Sequence, residues 1–296
     1  MSTRSVRGRV WRSFRRHRLA VAGLAVITVV AVLGVVSFVD DALLDNALIT
    51  TIWYSPFEPR FAPFAPPSAA HPFGTDSLGR DVLARTLYGA KVSVQVAITA
   101  VTVAAVVGSP LGIVAGYVGG VVETVLMRAV DVMLGFPALV LAIGLVAALG
   151  FSLTNVIIAL GIVYVPQFAR IARSTALSVS EEEYVDAARA LGYSRRHVVL
   201  REVLPNCLSP LLVQASLLMA FAIIAEASLS FLGLGVQPPT PTWGQMVSSG
   251  SGYLTQAPWI SLFPGGAILV TVLGFNLVGD GLRDALDPRE SSERRF

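Results

Sequence analysis

The chain has 296 residues, of which 54% are hydrophobic and only 14% charged, with a formal net charge of +3. An ordinary soluble domain carries roughly a quarter charged residues, so this composition excludes one and points to a protein built into a bilayer. The single cysteine, Cys207, excludes an internal disulfide, and His17, His71 and His197 lie too far apart for metal-ligand spacing and read as solvated or structural.

Uncharged runs cover 19–39, 92–122, 132–169, 203–225 and 227–279, and a spanning helix needs about 20 mostly apolar residues. They predict an all-α integral membrane protein with six transmembrane helices, at 19–39, 93–116, 126–149, 154–173, 208–232 and 260–281. Residues 1–40 form a basic tail and anchor helix. Seven arginines precede 21 uncharged residues, too long a run for a signal peptide, and the flanking SFVDDA is a poor cleavage site. Anionic lipid at the inner leaflet accounts for the arginines, so no nucleic-acid partner is expected.

Residues 41–91 read as an external Pro-rich segment, with SPFEPRFAPFAPPSAAHPFG extended on the surface. The i,i+4 pairs Asp76/Arg80 and Asp81/Arg85 predict a short interfacial helix feeding span 2. The core is 92–282. In it Gly108, Gly112, Gly116 and Gly120 recur every four residues, a bare stripe suited to close helix packing.

Segment 174–207 is the charged exception, with nine Asp, Glu or Arg residues between 180 and 206. Ser180 and Glu183 have capping-box spacing. The helix they open places Tyr184, Ala187, Ala188 and Leu191 on one narrow face, and Gly192 is placed to end it. Ser194 can cap a second helix, which Pro205 is expected to end. Small residues on the exposed stripe favour docking into a cleft of a soluble protein over lying on lipid, where Leu, Phe or Trp would be expected.

Further along, Glu226 is an acidic residue inside a span, so it is expected to face protein or an aqueous cavity and to accept hydrogen bonds holding span 5 against the following loop, 233–258. Residues 283–296 are a tail. With the N-terminus cytoplasmic, 18 of the 22 basic residues fall on the inner side, placing 174–207 and both termini in the cytoplasm.

DAARALG (186–192) followed by EVLPN (202–206) resembles the EAA motif of bacterial ABC-importer permeases, with Asp186 in place of the first Glu and Glu202 in place of an apolar residue. HPFGTDSLGRDVLARTLYGAKVS (71–93), LMRAVDVMLGFPALVLAI (126–143), EASLSFLGLGVQPPTPTWGQM (226–246) and FNLVGDGLRDALDPR (275–289) resemble the second, C-type permease subunit of the dipeptide, oligopeptide and nickel transporters. The resemblance implies a peripheral first helix plus a five-helix permease core in the bacterial cytoplasmic membrane, and a transport subunit rather than an enzyme. It implies a coupling helix contacting an ATPase subunit through Tyr184, Asp186, Ala187, Ala188, Gly192, Leu204 and Pro205. Implied partners are a second homologous permease, two cytoplasmic ATPase subunits or domains and an extracytoplasmic substrate-binding protein, with di- or oligopeptides as cargo. The sole lysine, Lys91, is not in a phosphate-cradling G-x-x-x-x-G-K-[ST] loop, so no cofactor is expected in this chain, and ATP and Mg belong to partner subunits. The competing class, a stand-alone ion-gradient-driven transporter or channel, needs ionisable residues at mid-depth. Arg128, Asp131, Arg170, Arg173 and Asp280 instead fall near inner span ends.

Overall fold

Apolar segments in lipid must satisfy their backbone groups locally, and helices do this within one segment. The computed structural model describes residues 11–44, 50 and 53–286, so the basic tail before Trp11 and the tail after Leu286 lie outside the described residues. In chain order the helices are α1 (Arg18–Leu43), α2 (Val82–Val118), α3 (Gly120–Leu134), α4 (Ala138–Leu149), α5 (Leu153–Ser180), α6 (Glu183–Ala190), α7 (Arg195–Phe231), α8 (Trp243–Ser251) and α9 (Trp259–Leu286). Five of these, α1, α2, α5, α7 and α9, are long and apolar enough to cross a membrane. The pair α3 and α4 makes a sixth candidate bent by 89°.

That bend corrects the straight span expected at 126–149. Pro137 lacks an amide hydrogen and disfavours helical geometry at Phe136. Helix α3 therefore stops at Leu134, and α4 restarts with Pro137 at its N-cap.

The interfacial helix expected ahead of span 2 is also absent as a separate element, because α2 runs unbroken from Val82. Asp81 is its N-cap, accepting from the Ala84 amide at 2.8 Å, and its other partners are His71 Nδ1 at 2.9 Å and Trp53 Nε1. Arg85 accordingly turns to Asp76, at 3.6 Å, rather than to Asp81. The Asp76–Arg80 pair forms at 2.7 Å, but in the preceding loop.

The Pro-rich segment is irregular yet tied down rather than simply extended. Thr75 O accepts from Trp259 Nε1 at 3.0 Å, Phe73 stacks on Phe263 at 3.8 Å, and Val82, Met246, Ala257 and Ile260 form a small core beneath. Within the expected loop 233–258 sits α8, capped by Thr242 and anchored by Trp243, whose Nε1 donates to Thr86 O at 2.8 Å.

Packing centres on α2 against α5. A Cβ built on Gly108, Gly112 or Gly116 would meet Val165 O, Ala169 O and Arg173 O respectively, so three glycines set one helix directly on the backbone of the other. Gly120 does not belong to this seam: it has φ +60, open space around it, and begins α3. The peripheral α1 uses the same device on a smaller scale, with Gly23 against Gly274 of α9 and Gly34 against Val94 of α2, while Val29, Val32 and Val36 remain exposed.

Gly112→Val should therefore destabilise the subunit by about 3 kcal/mol or more, because the clash is with backbone that no rotamer change relieves. Gly144→Ala, helical and with nothing within 4 Å, should be neutral. Thermal unfolding of the two purified variants checks both.

Candidate functional site

The charged segment is built differently from its sequence reading. Helix α5 continues to Ser180, whose Oγ donates back to Ala176 O at 2.6 Å, so the Ser180/Glu183 capping box does not form and Glu182 is the N-cap of α6. The end of α6 follows expectation. Gly192, at φ +80, lets its own amide donate to Arg189 O at 3.0 Å and the Tyr193 amide donate to Ala188 O at 3.2 Å, the paired bonds of a Schellman motif.

The face that α6 turns inward is Val185 and Ala188, both buried in the main core with Val198, Val203 and Cys207. Ala188 is therefore not on the outer stripe expected of it. Tyr184, Ala187 and Leu191 are exposed, Leu191 at 74%, and a Cβ on Gly192 would meet nothing. Asp186 is exposed and pairs with Arg189 at 3.0 Å, a surface contact of small energetic weight.

Nor does Pro205 end a second helix. Ser194 caps the first turn of α7, Arg195–Val198, as expected, and a π-turn, Val199–Val203, joins that turn to the rest of the helix, Leu204–Phe231, without a break. The wider turn accommodates a residue that cannot donate its amide. It also keeps Val198 and Val203, both fully buried, on the same side; on a regular α-helix five residues would separate them by about 140°. Pro205 is exposed and Leu204 half-buried against the core.

Two contacts lock this assembly to the spans. Asn206 Nδ2 donates to Tyr184 Oη at 3.2 Å, joining α7 to α6. The Arg189 guanidinium lies 5.4 Å from the Tyr117 ring centre at the end of α2. Neither contact is legible from the helical pattern.

Near the same end of the bundle, Arg173 Nε donates to Glu123 at 2.8 Å and Arg170 pairs with Asp131 at 2.8 Å, bridging α5 to α3 across a charged pocket of about 460 Å³ that Arg128 also lines. The sequence places these residues near span ends without pairing them, since partners are 50 and 39 residues apart.

Toward the opposite end, Glu226 is 1% exposed and faces protein as expected. Its Oε1 accepts from Ser230 Oγ at 2.7 Å, within α7 itself rather than from the following loop. Its Oε2 and the Ser93 Oγ of α2 are buried without a geometric hydrogen-bond partner among the described residues. The loop is held instead by small residues: a Cβ on Gly244 would meet Ala227 O, and one on Gly235 would meet Ser230.

Comparison with known proteins agrees with this architecture. Residues 108–292 match the family described as binding-protein-dependent transport system inner membrane component, and residues 5–72 match the N-terminal TM domain of oligopeptide transport permease C. The chain is 43% identical to the dipeptide transport system permease protein DppC of Alkalihalophilus pseudofirmus, covering 95% of this chain and 90% of that one. It is 44% identical to the probable D,D-dipeptide transport system permease protein DdpC of Escherichia coli K12, covering 88% and 89%. Identity to the glutathione transport system permease protein GsiD of Escherichia coli O6:K15:H31 is 41%, covering 94% and 89%. Among solved structures, an inward-facing MetNI methionine ABC transporter chain shares the fold, with a TM-score of 0.59 and 17% identity over 69% of this chain and 98% of that one.

Because Glu226 is bonded within its own helix, Glu226→Gln should keep assembly and most transport, the amide oxygen still accepting from Ser230. Glu226→Leu removes the acceptor of the buried Ser230 hydroxyl and should lower the yield of folded complex severalfold, at about 1–3 kcal/mol for the unsatisfied group. Size-exclusion yield and uptake measured on both variants separate the two outcomes.

Proposed function

Because the chain belongs to the family of binding-protein-dependent transport system inner membrane components, as the C-type permease subunit of an ABC importer, we propose that it carries di- or oligopeptides with a second homologous permease and is driven by ATPase subunits docking on α6. The named relatives carry dipeptides, D,D-dipeptides and glutathione, all short peptides, and this supports the cargo. ATP and Mg are held by the partner subunits, and a substrate-binding protein delivers cargo to the α8 end. Family membership weighs against a stand-alone ion-driven carrier.

One observation carries the docking reading: α6 exposes Tyr184, Ala187, Leu191 and Gly192 on one side and is fixed to the spans on the other. An exposed apolar patch of this kind marks an interaction surface. Val185 and Ala188 seat α6 in the core, Asn206 ties it to α7, and Arg189 ties it to α2. Displacement of α6 by a closing ATPase pair is thus passed to the spans together. Asp186, Ala187, Gly192 and Pro205 keep their proposed place on the contact surface. Leu204 supports it from beneath, as does Ala188.

In this reading the α6 end is cytoplasmic, consistent with the distribution of basic residues. Reporter fusions at Arg195 should read cytoplasmic and at Ser249 external; the reverse pattern would remove α6 from the ATPase. Ala187→Glu, a bulky charge on the exposed face, should reduce ATPase co-purification at least tenfold while the permease still inserts and melts normally. Ala188→Asp should instead lower the stability of the permease itself. Pull-down and thermal unfolding of both variants check this, and unchanged ATPase retention and uptake in Ala187→Glu would defeat the docking face. Uptake of a peptide panel by cells lacking and then regaining the gene tests the cargo.

A further inference from the structure

The first turn of α7 holds Arg195, Arg196 and His197 and no acid. Cationic side chains are misplaced at the positive end of a helix, and neither arginine has an ion-pair partner among the described residues. Both are exposed and rim a pocket of about 340 Å³ whose walls are Val114 and Val118 of α2 and Val199 and Leu200 of α7. Those walls are nearly all apolar, so the pocket combines a greasy groove with a doubly cationic mouth.

The groove also has a direction. Val103, Val107, Leu111, Val114 and Val118 are all exposed and follow one another at spacings of three and four along α2. They form an apolar stripe leading from the pocket up the membrane-spanning part of that helix. The arginines sit where the stripe ends.

We propose that this is a binding site for an anionic phospholipid, with the phosphate on Arg195 and Arg196 and one acyl chain in the groove between α2 and α7. The Tyr117 ring, also in the pocket wall, is the one beneath Arg189 of α6. A lipid here contacts the same end of α2 that α6 rests on, and thereby steadies the coupling segment against the spans. A soluble protein would complement the arginines equally well in charge. It would not fill a groove continuous with the exposed apolar stripe of a spanning helix. That the leaflet is the inner one rests on the orientation proposed above.

The test is native mass spectrometry of the delipidated permease complex in detergent, titrated with dioleoyl phosphatidylglycerol and, separately, with dioleoyl phosphatidylcholine. The anionic lipid should bind more tightly. Each basic residue near a membrane surface is worth about fivefold in affinity for anionic lipid, so Arg195→Gln/Arg196→Gln should lower phosphatidylglycerol affinity by about 30-fold, toward that of phosphatidylcholine. Val114→Trp, which fills the groove and keeps both arginines, should lower it as well. Unchanged phosphatidylglycerol affinity in either variant overturns the site. So does loss of the ATPase subunits from the arginine variant, which would make those side chains a protein contact. Lipid affinity in detergent does not depend on which end is cytoplasmic, so a failed orientation would not imitate a failed site.

Discussion

Everything in this bundle hangs on the contact between α2 and α5, where Gly108, Gly112 and Gly116 leave no side chain between two helix backbones. In lipid there is little hydrophobic gain from pressing two apolar helices together, so close approach and dispersion must supply the attraction. Fixing that pair fixes the rest. Helix α6 is hinged to the end of α5, its anchor Tyr117 is at the end of α2, and α3 is bound to α5 by the Glu123–Arg173 and Asp131–Arg170 pairs.

The two ends of the bundle are built by different means. At the α8 end, indole donors reach backbone carbonyls, Trp243 to Thr86 and Trp259 to Thr75, and glycines admit the loop against α7. At the α6 end the bonds instead join exposed or half-exposed side chains, such as Tyr184 with Asn206 and Arg170 with Asp131. A packed cap at one end and a jointed connector at the other fit the proposed division, with cargo received at the first and ATPase motion at the second.

Much of the architecture was legible because bilayer thickness converts composition directly into element length. The long spans, the Gly192 helix stop and the Ser194 cap were each readable from a local pattern, and family motifs covered the rest of the chain. The misreadings were also local in origin. GFP at 135–137 lies inside an uncharged apolar run that has the length of a straight span, although Gly and Pro together are breaking signals. Ser180 has the right neighbours for a capping box, but continuing α5 by one more turn satisfied the same backbone groups. Pro205 reads as a terminator because proline cannot donate the amide that an α-helical register needs, and the π-turn at Val199–Val203 changes that register.

By itself, then, the sequence determined that this chain spans a membrane, roughly where it does so, which segment is charged, and which family it belongs to. These follow from hydrophobic length and from motif spacing, both properties of neighbours along the chain. Only the tertiary structure decided which side of α6 faces out. Ala187 and Ala188 are adjacent small residues with equal claims on a contact surface, and what separates them is the position of Val198, Val203 and Cys207 beneath one and open space beside the other. The same holds for Arg173 with Glu123 and for Trp243 with Thr86: each pairing joins helices far apart in the chain, and helix rotation, set by how glycine and bulky side chains interlock, is absent from any local pattern.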